Sequence, residues 1–256
     1  MSGLDWSLLN SLSDDGKLVA YSETGEGSGP ESLSFLRDTS GTPAVSLGAG
    51  GYPSLSLDGQ WVVSFKNSAI SVSPVGPGEA KRIAFPGFNV ARAGLLPDGK
   101  TLWFNGNEPN HGFRYYTTDL DGAKPRPISP EGVRTSRGLL LNGKYLAGAS
   151  GGKIRLYPIA GGEPEILKGA TEEDRIAGWS TDEQSLFVYF RNDMPAKVYR
   201  LDRKTGQREP MMELAPADRA GVTFGFSGIM ITSDRSSYAY SIRQELSELH
   251  WADGLK

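Results

Sequence analysis

The chain has 256 residues, with 33 glycines, 16 prolines, no cysteine and a formal net charge of −3 at pH 7. The lack of cysteine excludes disulfides, thiolate nucleophiles and cysteine-ligated metal centres, although it leaves the cellular compartment open. The small negative charge gives no indication of a nucleic-acid partner, and without a long apolar run we predict no membrane insertion of this chain.

In chain order, the first repeated feature is a turn flanked by residues that alternate between apolar and polar. It is clearest at Asp58-Gly59, between residues 54–57 and 61–65. An Asp-Gly pair supplies the positive φ angles of a two-residue β-hairpin. Equivalent turns occur at Asp15-Gly16, Asp98-Gly99 and Asn142-Gly143, and at Asp182 and Asp234 without the glycine. The six copies lie roughly 40 to 50 residues apart, a period typical of propeller blades.

In the first five copies, a third and a fourth strand follow the hairpin. In the second copy these are residues 69–75 and 80–85, separated by the turn Gly76-Pro77-Gly78. We therefore predict an all-β fold, a six-bladed β-propeller of four-stranded antiparallel blades that forms a single domain over residues 1–256. The predicted blades cover approximately residues 8–48, 49–86, 87–129, 130–168, 169–214 and 215–256.

The last blade is expected to be incomplete. Its third predicted strand is residues 247–252, after which the sequence ends at Lys256. Residues 1–7 reach roughly 20 Å at about 3.3 Å per residue, too little to cross the width of two blades and still add a full strand. We expect a three-stranded last blade, at best patched by residues 2–6. The closing strand would then lie upstream in a longer parent protein, and the blade edge would be open to pairing with a second copy.

The phrase Leu96-Pro97-Asp98-Gly99-Lys100 resembles the repeats of TolB-like, WD40-like propellers of the Pro-Asp variant. Residues 4–7 and 237–256 further resemble propeller sensor modules that lie C-terminal to bacterial serine/threonine kinases. The resemblance implies a propeller that senses or binds rather than catalyses. It also implies a parent polypeptide with a kinase or regulator domain, for which an extracytoplasmic, periplasmic location of the propeller is one option.

Two catalytic motifs match the sequence but lack their structural context. Residues 94–101 fit the P-loop pattern, which needs a helix after Lys100, whereas residues 101–104 are β-branched and aromatic. Residues 148–152 fit the G-x-S-x-G pattern, but a strand is predicted to follow, and neither His111 nor His250 is placed near Ser150. We therefore predict a protein that is not an enzyme and that has no cofactor.

Arginines precede the predicted hairpins of three successive blades and should converge on one mouth of the central channel. They are Arg92, Arg134, Arg137 and Arg175. Tyr52, Asn89 and His111 belong to loops on the same face. Guanidinium groups capture carboxylates and phosphates, so we predict binding of a protein, a peptide or a small anionic ligand there. Alternatively, these arginines pair with the neighbouring acids Glu131, Glu172, Glu173 and Asp174.

A second class of function is a metal-dependent hydrolase or lyase with its site in the channel. Such a site would need several Asp, Glu, Asn or His residues on first strands of different blades. The near-axis positions carry mainly serine, glycine and arginine, with Asn10 as the lone candidate ligand. The sequence therefore favours binding and predicts no metal site.

Overall fold

The computed structural model describes residues 6–25, 29–141, 143–191 and 193–245, and all regular structure in these ranges is β-strand. The all-β prediction is confirmed, with antiparallel pairing throughout these strands. The first two blades consist of β1 (Trp6–Leu12), β2 (Leu18–Gly25), β3 (Gly29–Asp38) and β4 (Val45–Ala49), then β5 (Gly51–Leu55), β6 (Trp61–Lys66), β7 (Ala69–Pro74) and β8 (Lys81–Ala84).

Three further four-stranded blades follow in sequence. They consist of β9 (Asn89–Leu95), β10 (Thr101–Asn107), β11 (Arg114–Asp119) and β12 (Arg126–Pro127); β13 (Arg134–Leu141), β14 (Tyr145–Ser150), β15 (Lys153–Pro158) and β16 (Glu165–Ile166); and β17 (Asp174–Trp179), β18 (Ser185–Phe190), β19 (Ala196–Asp202) and β20 (Arg208–Leu214). Because β10 and β15 directly follow the P-loop and G-x-S-x-G matches, both matches are hairpin turns without a helix.

The last sheet has two strands in the described part of the chain, β21 (Val222–Ile231) and β22 (Tyr238–Gln244). The prediction of a six-bladed propeller is therefore wrong, because the described residues form five four-stranded blades and this two-stranded sheet. The reason is that each turn signal marks only an inner hairpin and does not require the outer strands. The strand predicted at 247–252 lies outside the described residues, as do residues 2–5 of the expected patch. We name β21 and β22 the closing sheet, since β21 contacts both β17 and β1.

The hairpin turns are longer than the two-residue form expected from the sequence. In the second blade, Ser56 N donates to Trp61 O at 2.8 Å and Gly59 N to Ser56 O at 2.9 Å, and only Gly59 of this turn has a positive φ, of 67°. The Asp58 carboxylate closes the turn by accepting hydrogen bonds from Ser56 Oγ at 2.5 Å and Gln60 N at 3.0 Å. Such a turn needs one glycine-like residue rather than two.

The hydrophobic core is a ring of clusters between neighbouring sheets. Between the second and third blades it includes Val63, Ile70, Phe104 and Tyr116. Similar clusters join the other blades. The cluster between the first blade and the closing sheet contains three buried described residues, Leu9, Val19 and Met230, and the cluster between the first two blades also contains three. Among the described residues, the junction of the two ends of the ring is therefore one of the two junctions with the smallest buried apolar clusters.

Candidate functional site

One mouth of the central channel is a cavity of about 370 Å³. Each of the five blades contributes a residue to it from its first strand, because these strands run side by side around the axis. The five are Leu8 of β1, Tyr52 of β5, Arg92 of β9, Arg134 of β13 and Arg175 of β17. We name this cavity the arginine mouth.

Four of the seven residues predicted from the sequence meet there, namely Tyr52, Arg92, Arg134 and Arg175. Asn89 and His111 are not among its lining residues. Instead, Nδ1 of His111 lies 2.8 Å from Oε1 of Glu131. Arg137 lies in β13, but its side chain is outside the described part of the structure.

Arg92 is held against an aromatic ring. Its guanidinium carbon lies 3.5 Å from the centroid of the Tyr52 ring, a cation–π contact. Tyr52 in turn stacks on Phe65, with 6.0 Å between ring centroids. The backbone of Tyr52 has a φ of 52°, a left-handed conformation that is uncommon for a bulky residue. The strained backbone and the stacked ring together fix the position of the Arg92 charge.

Arg134 and Glu172 form the predicted alternative, an arginine paired with a neighbouring acid. Arg134 Nη2 donates to Glu172 Oε2 at 2.7 Å and so links the fourth and fifth blades. The Arg134 side chain is 73% exposed. Exposed pairs of this kind contribute about 1 kcal/mol or less, so an anionic ligand can compete with Glu172 for the guanidinium.

Arg175 has a different environment, because its partners are uncharged. Its Nη1 donates to the backbone carbonyls of Glu172 at 3.0 Å and Asp174 at 3.1 Å. Within the described ranges Arg175 forms no salt bridge with a carboxylate. The carbonyls orient the guanidinium but leave its charge uncompensated.

Asp174 is the buried acid of the arginine mouth, with a side chain that is 0% exposed. Its Oδ2 accepts hydrogen bonds from Arg208 Nη2 at 2.6 Å and from Thr171 N at 2.8 Å. Burying a carboxylate is costly unless it is paired, and Arg208 supplies that charge. Asp174 is therefore not a free counter-charge for the mouth arginines.

Arg191 also lines the arginine mouth, although it was not among the residues predicted from the sequence. Arg191 follows β18, in a connection between second and third strands, and such connections lie on the same face as the loops that enter the first strands. The position of Arg191 in this connection could therefore have identified it from the sequence as a residue of the same face. Four arginines and two carboxylates line the cavity among the described residues, an excess of two positive charges. The arrangement can attract and hold an anionic group.

The opposite end of the channel is a separate cavity of about 330 Å³. Its lining residues include Ser11, Ser54, Gly178 and Met230 from four different sheets. Among its described lining residues there are two acids, Asp14 and Glu183, and no lysine or arginine. The excess of positive charge therefore belongs to the arginine mouth and not to the channel as a whole.

Across the part of the chain that the structure describes, no three His, Cys, Asp or Glu side chains come together in a way that could hold a metal ion. In the same residues no helix has the length and apolar character needed to cross a membrane.

No family model and no curated protein matches the chain. Solved structures similar to it include TolB from Acinetobacter baumannii, at 18% identity and a TM-score of 0.61 over 90% of this chain and 64% of that one. The putative TolB from Agrobacterium tumefaciens is 19% identical, with a TM-score of 0.62 over 94% and 90% of the two chains. An oligogalacturonate lyase from Vibrio parahaemolyticus is 13% identical, with a TM-score of 0.56 over 91% and 71%.

The chain thus covers less than two thirds of the Acinetobacter protein. At these identities the likeness concerns the fold alone. The further resemblance to kinase-associated sensor modules is not shown by these structures. The chain has a TolB-like β-propeller fold.

Proposed function

We propose that this chain is a non-enzymatic binding propeller that captures an anionic group of a protein, a peptide or a small molecule in the arginine mouth. The observation that carries the proposal is the convergence of Arg92, Arg134 and Arg175 from three successive inner strands on one cavity. A planar guanidinium offers two parallel N–H donors to a carboxylate or phosphate. Three such groups around one cavity favour an anion over a neutral ligand.

The size and shape of the cavity support capture of a small group. About 370 Å³ is at the lower end of the range for small-molecule sites, and it would also admit a side chain or chain terminus of a partner protein. A concave, charged surface concentrates the field and speeds encounter with an anion. We therefore infer that a protein partner would insert an acidic group rather than dock a flat surface.

The chemistry of the lining supports binding rather than catalysis. Its described residues include neither histidine nor cysteine. Its buried acid, Asp174, is engaged by Arg208. A general base or nucleophile needs a free and suitably oriented group, and the lining is better suited to holding an anion. The earlier resemblance supports extending the proposal to a sensor role, in which anion capture is relayed to a kinase or regulator domain.

The test is calorimetric titration with glutarate, a small dicarboxylate, against the wild type and single variants. Arg134→Gln and Arg175→Gln each remove one cavity charge. Arg82→Gln is the matched control, because Arg82 lies exposed on the outer strand β8 and does not line the cavity. We expect each mouth variant to raise the Kd at least tenfold, about 1.4 kcal/mol, and the control to leave it unchanged.

Thermal unfolding of each free variant distinguishes lost binding from lost folding. Glutarate should also raise the midpoint of the wild type, since it binds only the folded state. Equal Kd values for the wild type and both mouth variants, or no binding to the wild type, would contradict the proposed function.

A further inference from the structure

The cavity at the opposite end of the channel combines an apolar lining with its two acids, and we name it the acidic mouth. Four blades and the closing sheet contribute apolar side chains to it, including Leu12, Leu55, Leu57, Leu95, Trp179 and Met230. Leu57 is 45% exposed, so apolar surface at this cavity faces water. Covering that surface with the apolar body of a ligand is favourable.

Asp14 is an acid of the acidic mouth without a compensating cation. It lies exposed in the turn between β1 and β2. Its two carboxylate oxygens accept hydrogen bonds from Ser233 N and Ser233 Oγ, which are neutral donors. No lysine, arginine or histidine of the described residues forms a salt bridge with it. Because each carboxylate oxygen has two lone pairs, Asp14 can accept further hydrogen bonds from a ligand.

Glu183 adds a second negative charge to the lining. It occupies the left-handed position of the turn between β17 and β18, with a φ of 58°, where the first four blades have a glycine. Its Oε2 lies 4.0 Å from Nζ of Lys144, whose side chain is 67% exposed. An exposed pair at this separation contributes little, so Lys144 offsets the charge of Glu183 only weakly.

We propose that the acidic mouth is a second ligand site, which binds an organic monocation with an apolar body. The ammonium group of the ligand donates to the exposed carboxylate of Asp14, and Glu183 adds negative potential. The apolar body lies against the leucines and Trp179. A cavity of about 330 Å³ is at the lower end of the range for small-molecule sites and suits a body of one aromatic ring.

Two other kinds of ligand fit the acidic mouth less well. A hard divalent cation needs several oxygen ligands, and no group of three metal-ligating side chains occurs among the described residues. A neutral apolar molecule would leave the two carboxylates without a partner. The inference goes beyond the proposed function, because it concerns a different cavity with the opposite excess of charge.

The experiment compares 2-phenylethylamine, 2-phenylethanol and ethylamine on the wild-type protein by calorimetric titration at pH 7, where both amines are protonated. The second ligand lacks the charge and the third lacks the apolar body. An exposed ion pair is worth up to about fivefold in affinity. We expect 2-phenylethylamine to bind about fivefold tighter than 2-phenylethanol, and ethylamine to bind more weakly still.

One variant tests the charge of the acidic mouth. Asp14→Asn removes the negative charge and keeps one acceptor oxygen for Ser233, so it should weaken 2-phenylethylamine binding about fivefold and leave 2-phenylethanol binding unchanged. Glu79→Gln is the matched control, because Glu79 is an exposed acid between β7 and β8 that does not line the cavity. It should change neither affinity.

A second variant tests the apolar lining at an exposed position, where the substitution does not disturb the core. Leu57→Ser should weaken the binding of both phenyl ligands several-fold. Val45→Ser is its matched control, because Val45 is an exposed apolar residue of β4 outside the cavity. Urea denaturation shows that each variant is folded under the conditions of the titration.

Three results would overturn the inference. Equal affinities of 2-phenylethylamine and 2-phenylethanol would mean that the carboxylates do not act on the ligand. Wild-type affinity for 2-phenylethylamine in both Asp14→Asn and Leu57→Ser would mean that the ligand binds elsewhere. No binding of 2-phenylethylamine to the folded wild type would exclude the site. None of these results bears on the arginine mouth, which is probed separately with glutarate.

Discussion

Asp14 and Ser233, 219 positions apart in the chain, are joined by two hydrogen bonds. Ser233 N donates to Asp14 Oδ1 and Ser233 Oγ donates to Asp14 Oδ2, both at 2.7 Å. Asp14 lies in the turn between β1 and β2, and Ser233 in the turn between β21 and β22. This contact connects the first blade to the closing sheet, at one of the two junctions with the smallest buried apolar clusters in the described core.

The first prediction concerns this junction. Asp14→Ala should lower the free energy of unfolding by about 1 kcal/mol, because two hydrogen bonds to a carboxylate are lost at an exposed site. Asp14→Asn keeps one acceptor oxygen and should lose about half as much. Urea denaturation of the three proteins measures the difference. Equal stability of Asp14→Ala and the wild type would show that the other contacts of this junction are sufficient to close the ring.

The second prediction concerns the left-handed position of the hairpin turns. In the turn between β21 and β22 this position is Arg235, with a φ of 64°, where the second blade has Gly59 with a φ of 67°. Arg235→Gly should therefore raise the free energy of unfolding by about 0.5 to 1 kcal/mol, because glycine adopts this conformation without steric cost.

The reverse change provides the control for that prediction. Gly59→Ala should lower stability by about 1 kcal/mol. A Cβ at Gly59 would meet nothing within 4 Å, so the cost comes from the backbone alone. Urea denaturation measures both variants. A destabilised Arg235→Gly protein would mean that side-chain contacts of Arg235 outweigh its backbone strain.

The third prediction is a pH dependence that comes from the turn aspartates. The hydrogen bond from Ser13 Oγ, followed by that from Lys17 N, lowers the pKa of Asp15 below its ordinary value. A carboxyl group with a lowered pKa in the folded state stabilises the fold above its unfolded pKa, about 3.9, and loses that contribution as the pH falls through the folded pKa.

Ser13→Ala tests this dependence because it removes the largest cause of the shift. The pKa of Asp15, followed by NMR titration, should rise towards the ordinary value. The difference in stability between wild type and variant should be smaller at pH 2 than at pH 6, where Asp15 is ionised. A pH-independent difference would show that Ser13 stabilises the fold without the ionised Asp15, through packing and the hydrogen bond that its Oγ accepts from Leu18 N.

The turns could be predicted from local features of the sequence. Features that depend on contacts between blades could not. The pairing of Ser56 with Asp58 spans two residues, so the repeated phrase was sufficient to locate each hairpin. Because the blades repeat, Arg92, Arg134 and Arg175 lie on the first strands of three successive blades and line the same cavity. The outer strands of the last sheet could not be predicted in this way, because turn signals do not report what pairs with a sheet edge.

The two misplaced site residues have simple physical explanations. Asn89 is the first residue of β9 and lies three positions before Arg92, so its exposed side chain does not reach the cavity. His111 is drawn to Glu131 instead, an acid that the sequence places 20 positions away. The pairing of Asp174 with Arg208 could not be predicted from the sequence either, because Arg208 comes from β20, 34 positions away.

The last prediction concerns Tyr52, which combines a strained backbone with the ring that holds Arg92. Tyr52→Asn removes the ring but suits the left-handed backbone, since asparagine tolerates a positive φ better than a bulky residue does. Loss of the cation–π contact should raise the Kd for glutarate about threefold to tenfold. The free energy of unfolding should change by less than about 1 kcal/mol, because relief of backbone strain offsets the lost stacking on Phe65.

Tyr52→Phe keeps the ring and should bind glutarate within about twofold of the wild type, since the ring face provides the attraction. Calorimetric titration and urea denaturation of both variants measure these changes, and wild-type affinity in Tyr52→Asn would show that Arg92 needs no aromatic support to bind the anion.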